Sequence, residues 1–419
     1  MADKVLPKKQ AGFAVEVVKK LREAGFEAYW AGGCVRDRLL GRVPEDYDVA
    51  SSATPGEIRR IFGYRRTVAV GAAFGVITVL GPKKAGQIEV ATFRQDSTYS
   101  DGRHPDSVLF STAREDAARR DFTINGLFFD PIEERVIDFV GGREDLERGI
   151  IRAIGDPALR FGEDKLRLLR AVRFAATFGF ELEGDTLAAM RQMAPQITVV
   201  SPERIAAEMR RMLVLPRRAA AARLFLETGL AEAILPEVVP RDSQQRRAWE
   251  ESLAVLERLD EPRFPLALAA LLLPRLDRAG AIEICRRWRL SNDETERAAW
   301  LVEHQLSLVG ARSKPWSAVQ GILVADGAGD LVILDAALVE SGRRDALDVA
   351  WCREQLSRPP EELDPPPLLS GDDLIRHGVP RGPLFSVLLR RVRNAQLDAE
   401  IHTTAEALAL VERLLAAEA

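Results

Sequence analysis

Apolar positions recur at helical spacing over Ala11–Ala24, and Gly25 ends that run. Phe26–Ala31 then reads as a strand, Gly32-Gly33 as a turn, and Cys34–Leu40 as a short helix stopped by Gly41. A strand is expected over Glu45–Ala50, and Thr54-Pro55 opens a helix running to about Phe62. Thr67–Val70 and Val76–Leu80 alternate in polarity around Gly71–Gly75, which suits a hairpin, and Gln87–Phe93 is a further strand. Arg94–Asp116 is polar and rich in Asp, Ser and Arg, and reads largely as a mobile loop. Order resumes over Ala117–Phe129, followed by a short strand at Val136–Phe139 and a Gly141-Gly142 turn. The first 150 residues therefore predict a mixed α/β unit with a small, partly antiparallel sheet.

Past Pro157 the strand signals almost vanish. Glu163–Phe178 predicts one strongly charged amphipathic helix, and Ser201–Leu213, Ala219–Thr228 and Arg246–Leu259 continue the helical period. Apolar stretches at Pro265–Leu273 and Leu331–Val339 fit helices buried in an all-α body. Arg358–Pro367 reads as a proline-rich linker. Beyond it, Gly371–Leu374 and a final helix from about Thr403 form a small C-terminal unit.

The bulk numbers narrow this picture only a little. The chain has 419 residues, 47% hydrophobic and 29% charged, an ordinary globular composition with material for several cores. A net charge of −4 gives no global attraction to nucleic acid, so any such site is a local patch, and DNA is not an expected partner. Cys34, Cys285 and Cys352 lie far apart and show no metal or disulfide spacing, which fits a reducing cytoplasm. The polar, lysine-bearing N-terminus does not read as a signal peptide, and no apolar run suits a membrane span.

The chemistry concentrates in a few stretches. Gly32-Gly33 leaves backbone free to approach a ligand, a helix start follows, and Arg36 can fork onto a phosphate. Taken alone, a turn before a helix is the ordinary reading. Asp46 and Asp48 alter that balance: at i and i+2 on a strand, two carboxylates share a face and repel unless a cation sits between them. Magnesium takes hard oxygen ligands and bridges carboxylates to phosphates, so the pair suits a triphosphate-handling metal site as well as a solvated strand edge. Glu89, on another strand, offers a third carboxylate or an ordinary exposed one. Arg120, Asp121 and Asn125 lie together in a stretch that can hold phosphate oxygens and a ribose hydroxyl, or cap a helix. Asp164, Arg167, Arg170 and Arg173 step by three along the long helix, where an exposed ion-pair ladder is the ordinary interpretation.

In combination these motifs are far more specific. GGCVRDRLLGRVPEDYDVA, RRDFTING, EDKLRLLRAVRF and SPERIAAEM, in that order over about residues 25–215, resemble the class II tRNA nucleotidyltransferase and bacterial poly(A) polymerase family. SGDDLIRHGVPRGPLF is similar to the tail of CCA-adding members. The resemblance implies an α+β fold: a polymerase-β-like nucleotidyltransferase palm with a small mixed sheet over residues 1–150, then an all-α neck (151–235), body (236–360) and tail (361–419).

It further implies that Asp46 and Asp48 bind two magnesium ions and that Glu89 completes the catalytic set. Gly32, Gly33 and Arg36 match triphosphate-contacting positions, Arg120, Asp121 and Asn125 the nucleotide and ribose motif, with Arg170 and Arg173 further along the nucleotide-binding helix. Asp164 and Arg167 match the residues that read the incoming base. A carboxylate only accepts and a guanidinium only donates. The pair therefore complements the amino group and ring nitrogen of cytosine and adenine, and mismatches uracil and guanine. Arg103 matches an arginine in the family's flexible loop, which helps switch from C to A addition.

The expected activity is template-independent CCA addition to the tRNA 3′ end from CTP and ATP, with pyrophosphate released. Poly(A) polymerases of the family carry a basic pair followed by Phe and His. Here Arg65-Arg66 is present without them, and GAAFGVITV looks more like CCA-adding relatives, although Phe74 stands where many have His. A-tailing and single-step A or CC addition remain the alternative readings. A catalytically dead RNA-binding module is disfavoured, because a binder needs no carboxylate pair. AALLLPR at Ala269–Arg275 stands where some relatives carry a His-Asp phosphohydrolase signature, so that activity is not expected.

Overall fold

The computed structural model describes residues 6–96, 108–273 and 275–418. They form two compact units, one reaching to Val239 and the other starting at Pro240.

The first unit opens with α1 (Pro7–Glu23), whose proline sits where a helix needs no N–H and whose buried stripe is Phe13, Val17, Val18 and Leu21. A seven-stranded sheet follows. Its strands in chain order are β1 (Ala28–Ala31), β2 (Asp48–Ser51), β3 (Thr67–Val68), β4 (Val76–Leu80), β5 (Gln87–Thr92), β8 (Phe128–Asp130) and β9 (Arg135–Ile137). Their spatial order is β3-β4-β5-β2-β1-β8-β9. Every neighbouring pair is antiparallel except β2 and β5, which run parallel and set Asp48 directly opposite Glu89. Helices α2 (Gly33–Leu39) and α3 (Pro55–Phe62) fill the connections, and Thr54 with Glu57 forms a capping box ahead of Pro55.

The pleat decides where chemistry can happen. Partners directly across a sheet point to the same side. Ala31, Asp48 and Glu89 therefore share a face with Ala50 and Phe93. Ala31, Ala50, Phe93 and Phe128 pack on that face with Ala113 and Ala117 of α4 (Ala113–Ala118). The small side chains Ala31 and Ala50 let the helix come close. The helix covers the Ala50–Phe93 end and leaves the carboxylate end open. The opposite face, with Val49, Ile77, Ile88 and Val90, is fully buried.

Several expectations are corrected here. β2 begins at Asp48, not Glu45, so Asp46 lies in the extended segment just before the strand. Arg94–Asp116 is not simply a loop: Arg94–Asp96 (β6) and Val108–Phe110 (β7) pair antiparallel, and α4 starts under a Thr112/Glu115 capping box. The residues between 97 and 107, Arg103 included, lie outside the described residues.

After α5 (Gly142–Arg148) and β10 (Ile150–Ile151), the expected single helix from Glu163 to Phe178 is two helices. These are α6 (Pro157–Glu163) and α7 (Leu166–Phe178). Between them Asp164 is extended, with φ −144° and ψ 107°. Its Oδ1 accepts from the backbone N–H of Leu166 at 3.0 Å, the capping bond an aspartate makes at a helix start. A second short strand, β11 (Glu181–Leu182), pairs parallel with β10. The helices α8 (Gly184–Met193), α9 (Pro202–Leu213) and α10 (Arg218–Glu227) complete the unit.

The second unit is helical throughout, including the expected apolar helices at Phe264–Leu272 and Ala328–Val339. The proline-rich stretch contains a short helix, Pro360–Leu363, and the C-terminal region holds three helices. They are Gly371–Arg376, Pro383–Leu397 and Thr404–Glu418; of these only the last, expected from about Thr403, is indicated as a helix by the pattern. These three share a core built on Leu374, Leu388, Val392 and Val411. Among the described residues no helix is long and apolar enough to cross a membrane.

Candidate active site

The open end of the sheet faces a cleft of about 670 Å³ that lies wholly within the first unit. Gly32, Gly33, Arg36, Asp46, Asp48, Arg120, Asp121, Asn125, Asp164, Arg167, Arg170 and Arg173 all line it. Of the described residues singled out from the sequence, only Glu89 is not in its wall; it stands beside Asp48 on the neighbouring strand. The cleft also takes Arg119, the neighbour of Arg120 in the same motif, and Leu166, Phe174 and Arg204, which the motif reading had not assigned.

The turn at Gly32 has φ +72°, and a Cβ there would lie 2.8 Å from Nη1 of Arg120. The backbone conformation favours glycine here, and a side chain would also displace the Arg120 guanidinium. The turn delivers Arg36 on α2. Arg36 Nη1 donates to Oδ1 of Asn125 at 2.6 Å, and Asn125 Nδ2 donates to Oδ1 of Asp121 at 3.0 Å. Arg170 donates to Oδ2 of Asp121 through Nε and Nη2, at 2.9 and 2.7 Å. One buried carboxylate thereby orients two arginines that reach the cleft from different helices. Burial alone would push the Asp121 carboxyl up. The Arg170 charge and the hydrogen bonds from Asn125, Arg170 and the Phe122 N–H outweigh it and hold the group well below the usual carboxylate range.

At the sheet end, Asp48 is the opposite case. Burial, then the charges of Asp46 and Glu89, push its carboxyl up to about 6, against a smaller opposing effect of Arg120. Such crowding is what a bound cation relieves. Among the described residues no three His, Cys, Asp or Glu side chains are grouped closely enough to hold a metal on their own. Two carboxylates beside a phosphate cleft nonetheless fit magnesium, which keeps water and substrate oxygens in its shell. Cys34, on α2, donates through Sγ to the carbonyl oxygens of Ala31 at 3.4 Å and Asp48 at 3.9 Å. Burial pushes its thiol up to about 12, so it packs and does no nucleophilic chemistry.

The expected ion-pair ladder along 164–173 does not form. Asp164 lies off the helix and accepts from Nη2 of Arg204, on α9, at 2.7 Å. Arg167 pairs with Glu163, and its Nη1 also donates to the carbonyl of Arg160 at 2.8 Å. Arg173 Nε donates to Glu208 at 2.7 Å. The break at Asp164 turns that carboxylate toward the cleft while Arg167 stays on the first turn of α7. An acceptor and a donor end up on the same wall.

Seven arginines against four aspartates line the cleft, so it carries an excess of positive charge in a protein whose net charge is −4. Such a cleft suits anionic phosphates, and it offers a carboxylate pair at the sheet end and an acceptor beside a donor at Asp164 and Arg167. A sheet that presents clustered carboxylates to such a cleft defines a nucleotidyltransferase. Comparison with known proteins agrees. The chain matches the poly A polymerase head domain over residues 28–152, and a probable RNA and SrmB-binding site of polymerase A over residues 179–240. It is 40% identical over 291 residues to the CCA-adding enzyme of Streptococcus gordonii, covering 69% of this chain and 70% of the relative. It is 35% identical over 383 residues to that of Lacticaseibacillus paracasei, with 90% of each covered. The crystal structure of the Bacillus stearothermophilus CCA-adding enzyme in complex with CTP matches with a TM-score of 0.76 at 29% identity, over 98% of both chains. The chain belongs to the CCA-adding enzyme family of nucleotidyltransferases, which uses a divalent metal.

Proposed function

We propose that this protein adds CCA to the 3′ end of tRNA, taking CTP and ATP and releasing pyrophosphate. The observation that carries the reading is the layout of one cleft. Clustered carboxylates lie at the sheet, arginines line the space beyond them, and an Asp/Arg pair stands on the α6–α7 break. The relatives named above are CCA-adding enzymes, and one of them holds CTP, one of the two nucleotides required.

Asp46 and Asp48, with Glu89 beside them, are the residues that would hold magnesium, in the two-ion form common to such transfers. When bound, the metal supplies Lewis-acid polarisation of the attacked phosphoryl group and of the attacking hydroxyl. The protein's own residues do the rest. Gly32, Gly33, Arg36 and Arg120 receive the triphosphate, with Arg170 and Arg173 deeper along α7. Asp121 and Asn125 orient Arg36 and Arg170 and face the ribose. Asp164 accepts from the amino group of cytosine or adenine, and Arg167 donates to the ring nitrogen. Uracil or guanine would set carbonyl against carboxylate and N–H against guanidinium, leaving unpaired groups at about 1–3 kcal/mol each. The head, neck, body and tail division is part of the same proposal, with tRNA read by shape and backbone charge.

The test uses tRNA transcripts lacking one, two or three terminal residues, with CTP and ATP supplied singly and together. Stepwise completion to CCA and no further extension is the expected result. Long A-tails on unrelated RNA without use of CTP would overturn it.

A further inference from the structure

The aromatic ring of Phe174 is the common neighbour of three cleft arginines. The guanidinium carbons of Arg173, Arg170 and Arg36 lie 4.2, 5.2 and 5.4 Å from its centroid. Arg36 comes from α2 and the other two from α7, so the ring joins guanidiniums that sequence separates by more than 130 residues. Phe174 is 6% exposed and is held on its other contacts by aromatics: edge-on by Phe122 at 5.8 Å and stacked with Phe178 at 6.1 Å, 12° between planes. Phe178 in turn carries Arg36 at 4.6 Å and Arg42 at 5.1 Å.

Three like charges around one point repel. Each arginine has its own carboxylate: Asp37 for Arg36, which also donates to Asn125, Asp121 for Arg170 and Glu208 for Arg173. The Phe174 ring is the one group within 5.4 Å of all three guanidinium carbons among the described ring contacts. The negative face of a phenyl ring attracts cations without consuming their N–H donors. Both terminal amino groups of Arg173 and Nη1 of Arg170 carry no hydrogen bond among the described residues. They stay available to an incoming anion.

We propose that Phe174 is a positioning residue for the nucleotide triphosphate, its ring holding Arg36, Arg170 and Arg173 in the geometry that receives the phosphates. The inference rests on the functional reading of the cleft. Preorganised donors cost no rearrangement when substrate binds. Its cation contacts are with the phosphate-receiving arginines, so it acts on affinity for the triphosphate and leaves base choice to Asp164 and Arg167.

A series of fluorinated phenylalanines at position 174 of the full-length protein tests this, because fluorine withdraws the ring's negative face with little change of shape. The dissociation constant for CTP is expected to rise stepwise with fluorination, reaching about tenfold. That for CMP should move less than about twofold, and the preference for CTP over UTP should hold. Phe174→Leu is expected to reproduce the same split, with KM for CTP rising and kcat at saturation nearly kept. A flat CTP series, or parallel losses for CTP and CMP, would overturn the inference and leave the functional reading standing. Failure of the unmodified protein to bind CTP would instead remove the reading on which it rests.

Discussion

Asp164 is held by Arg204, forty residues further along the chain, and not by Arg167, three residues away. The 2.7 Å bond spans from the α6–α7 break to α9 and fixes one oxygen of the carboxylate proposed to read the base. Its other oxygen accepts from the Leu166 N–H. Arg204→Ala frees Asp164 to turn. Selectivity for CTP over UTP is expected to fall about tenfold, with KM for CTP changed less, and Arg204→Lys should recover part of it. Competition between nucleotides in a single-addition assay measures this; unchanged selectivity would contradict the role.

Asp121 ties Arg170 and, through Asn125, Arg36. Removing one partner of a buried pair leaves the other uncompensated. Asp121→Ala should therefore lower stability by about 3–5 kcal/mol at pH 7 in denaturant titration. The Asp121 carboxyl is depressed in the folded state. Its contribution is then present above the unfolded value, about 3.9, and is lost as pH falls through the folded one. The gap between wild type and variant should be constant from pH 8 to 5 and narrow only in strong acid. A gap that closes near neutrality would refute the assignment.

Asp48 gives the reverse sign. Its carboxyl is raised by burial and by Asp46 and Glu89, so its charge costs stability when no cation is bound. In chelator at pH 8, Asp48→Asn is expected to melt above the wild type. Added magnesium should raise the Tm of the wild type and leave the variant nearly unmoved. Nucleotide transfer by the variant should drop at least about a thousandfold. Equal magnesium shifts in both proteins would remove Asp48 from the metal site.

Cys34, Cys285 and Cys352 are buried, and burial raises their thiols to about 12, 11 and 11. Native protein at pH 8 should be alkylated by iodoacetamide well over tenfold more slowly than a free thiol, with activity retained. Rapid inactivation tracking modification of Cys34 would show that its surroundings open in solution.

What the sequence disclosed was local. Gly32-Gly33 announces a turn because no other residue takes φ +72° so readily, and Asp46 and Asp48 stand out because carboxylates so close together are costly. The strand and helix pattern was readable wherever one face was buried against one neighbour, as in α1 and α3. The misreadings came where distant residues decide. The charge period through 163–178 looks continuous, yet Arg204 and the Leu166 N–H draw Asp164 out of the helix. Phe174 reads as an ordinary apolar position of α7, since its arginine from α2 meets it only in the folded sheet-and-helix arrangement. Glu89 by itself reads as an ordinary strand carboxylate, and only the family resemblance singles it out; the parallel pairing sets it beside Asp48.

That parallel pairing also sets a schedule. β2 cannot meet β5 until α3, β3 and β4 have been made and laid aside, and the base-reading wall waits for Arg204 on α9. A ribosome must therefore deliver nearly half of the 419-residue chain before the first complete reaction centre exists. Until β5 emerges, the growing chain carries the glycine turn with Asp46 and Asp48 but not the strand that sets Glu89 beside them.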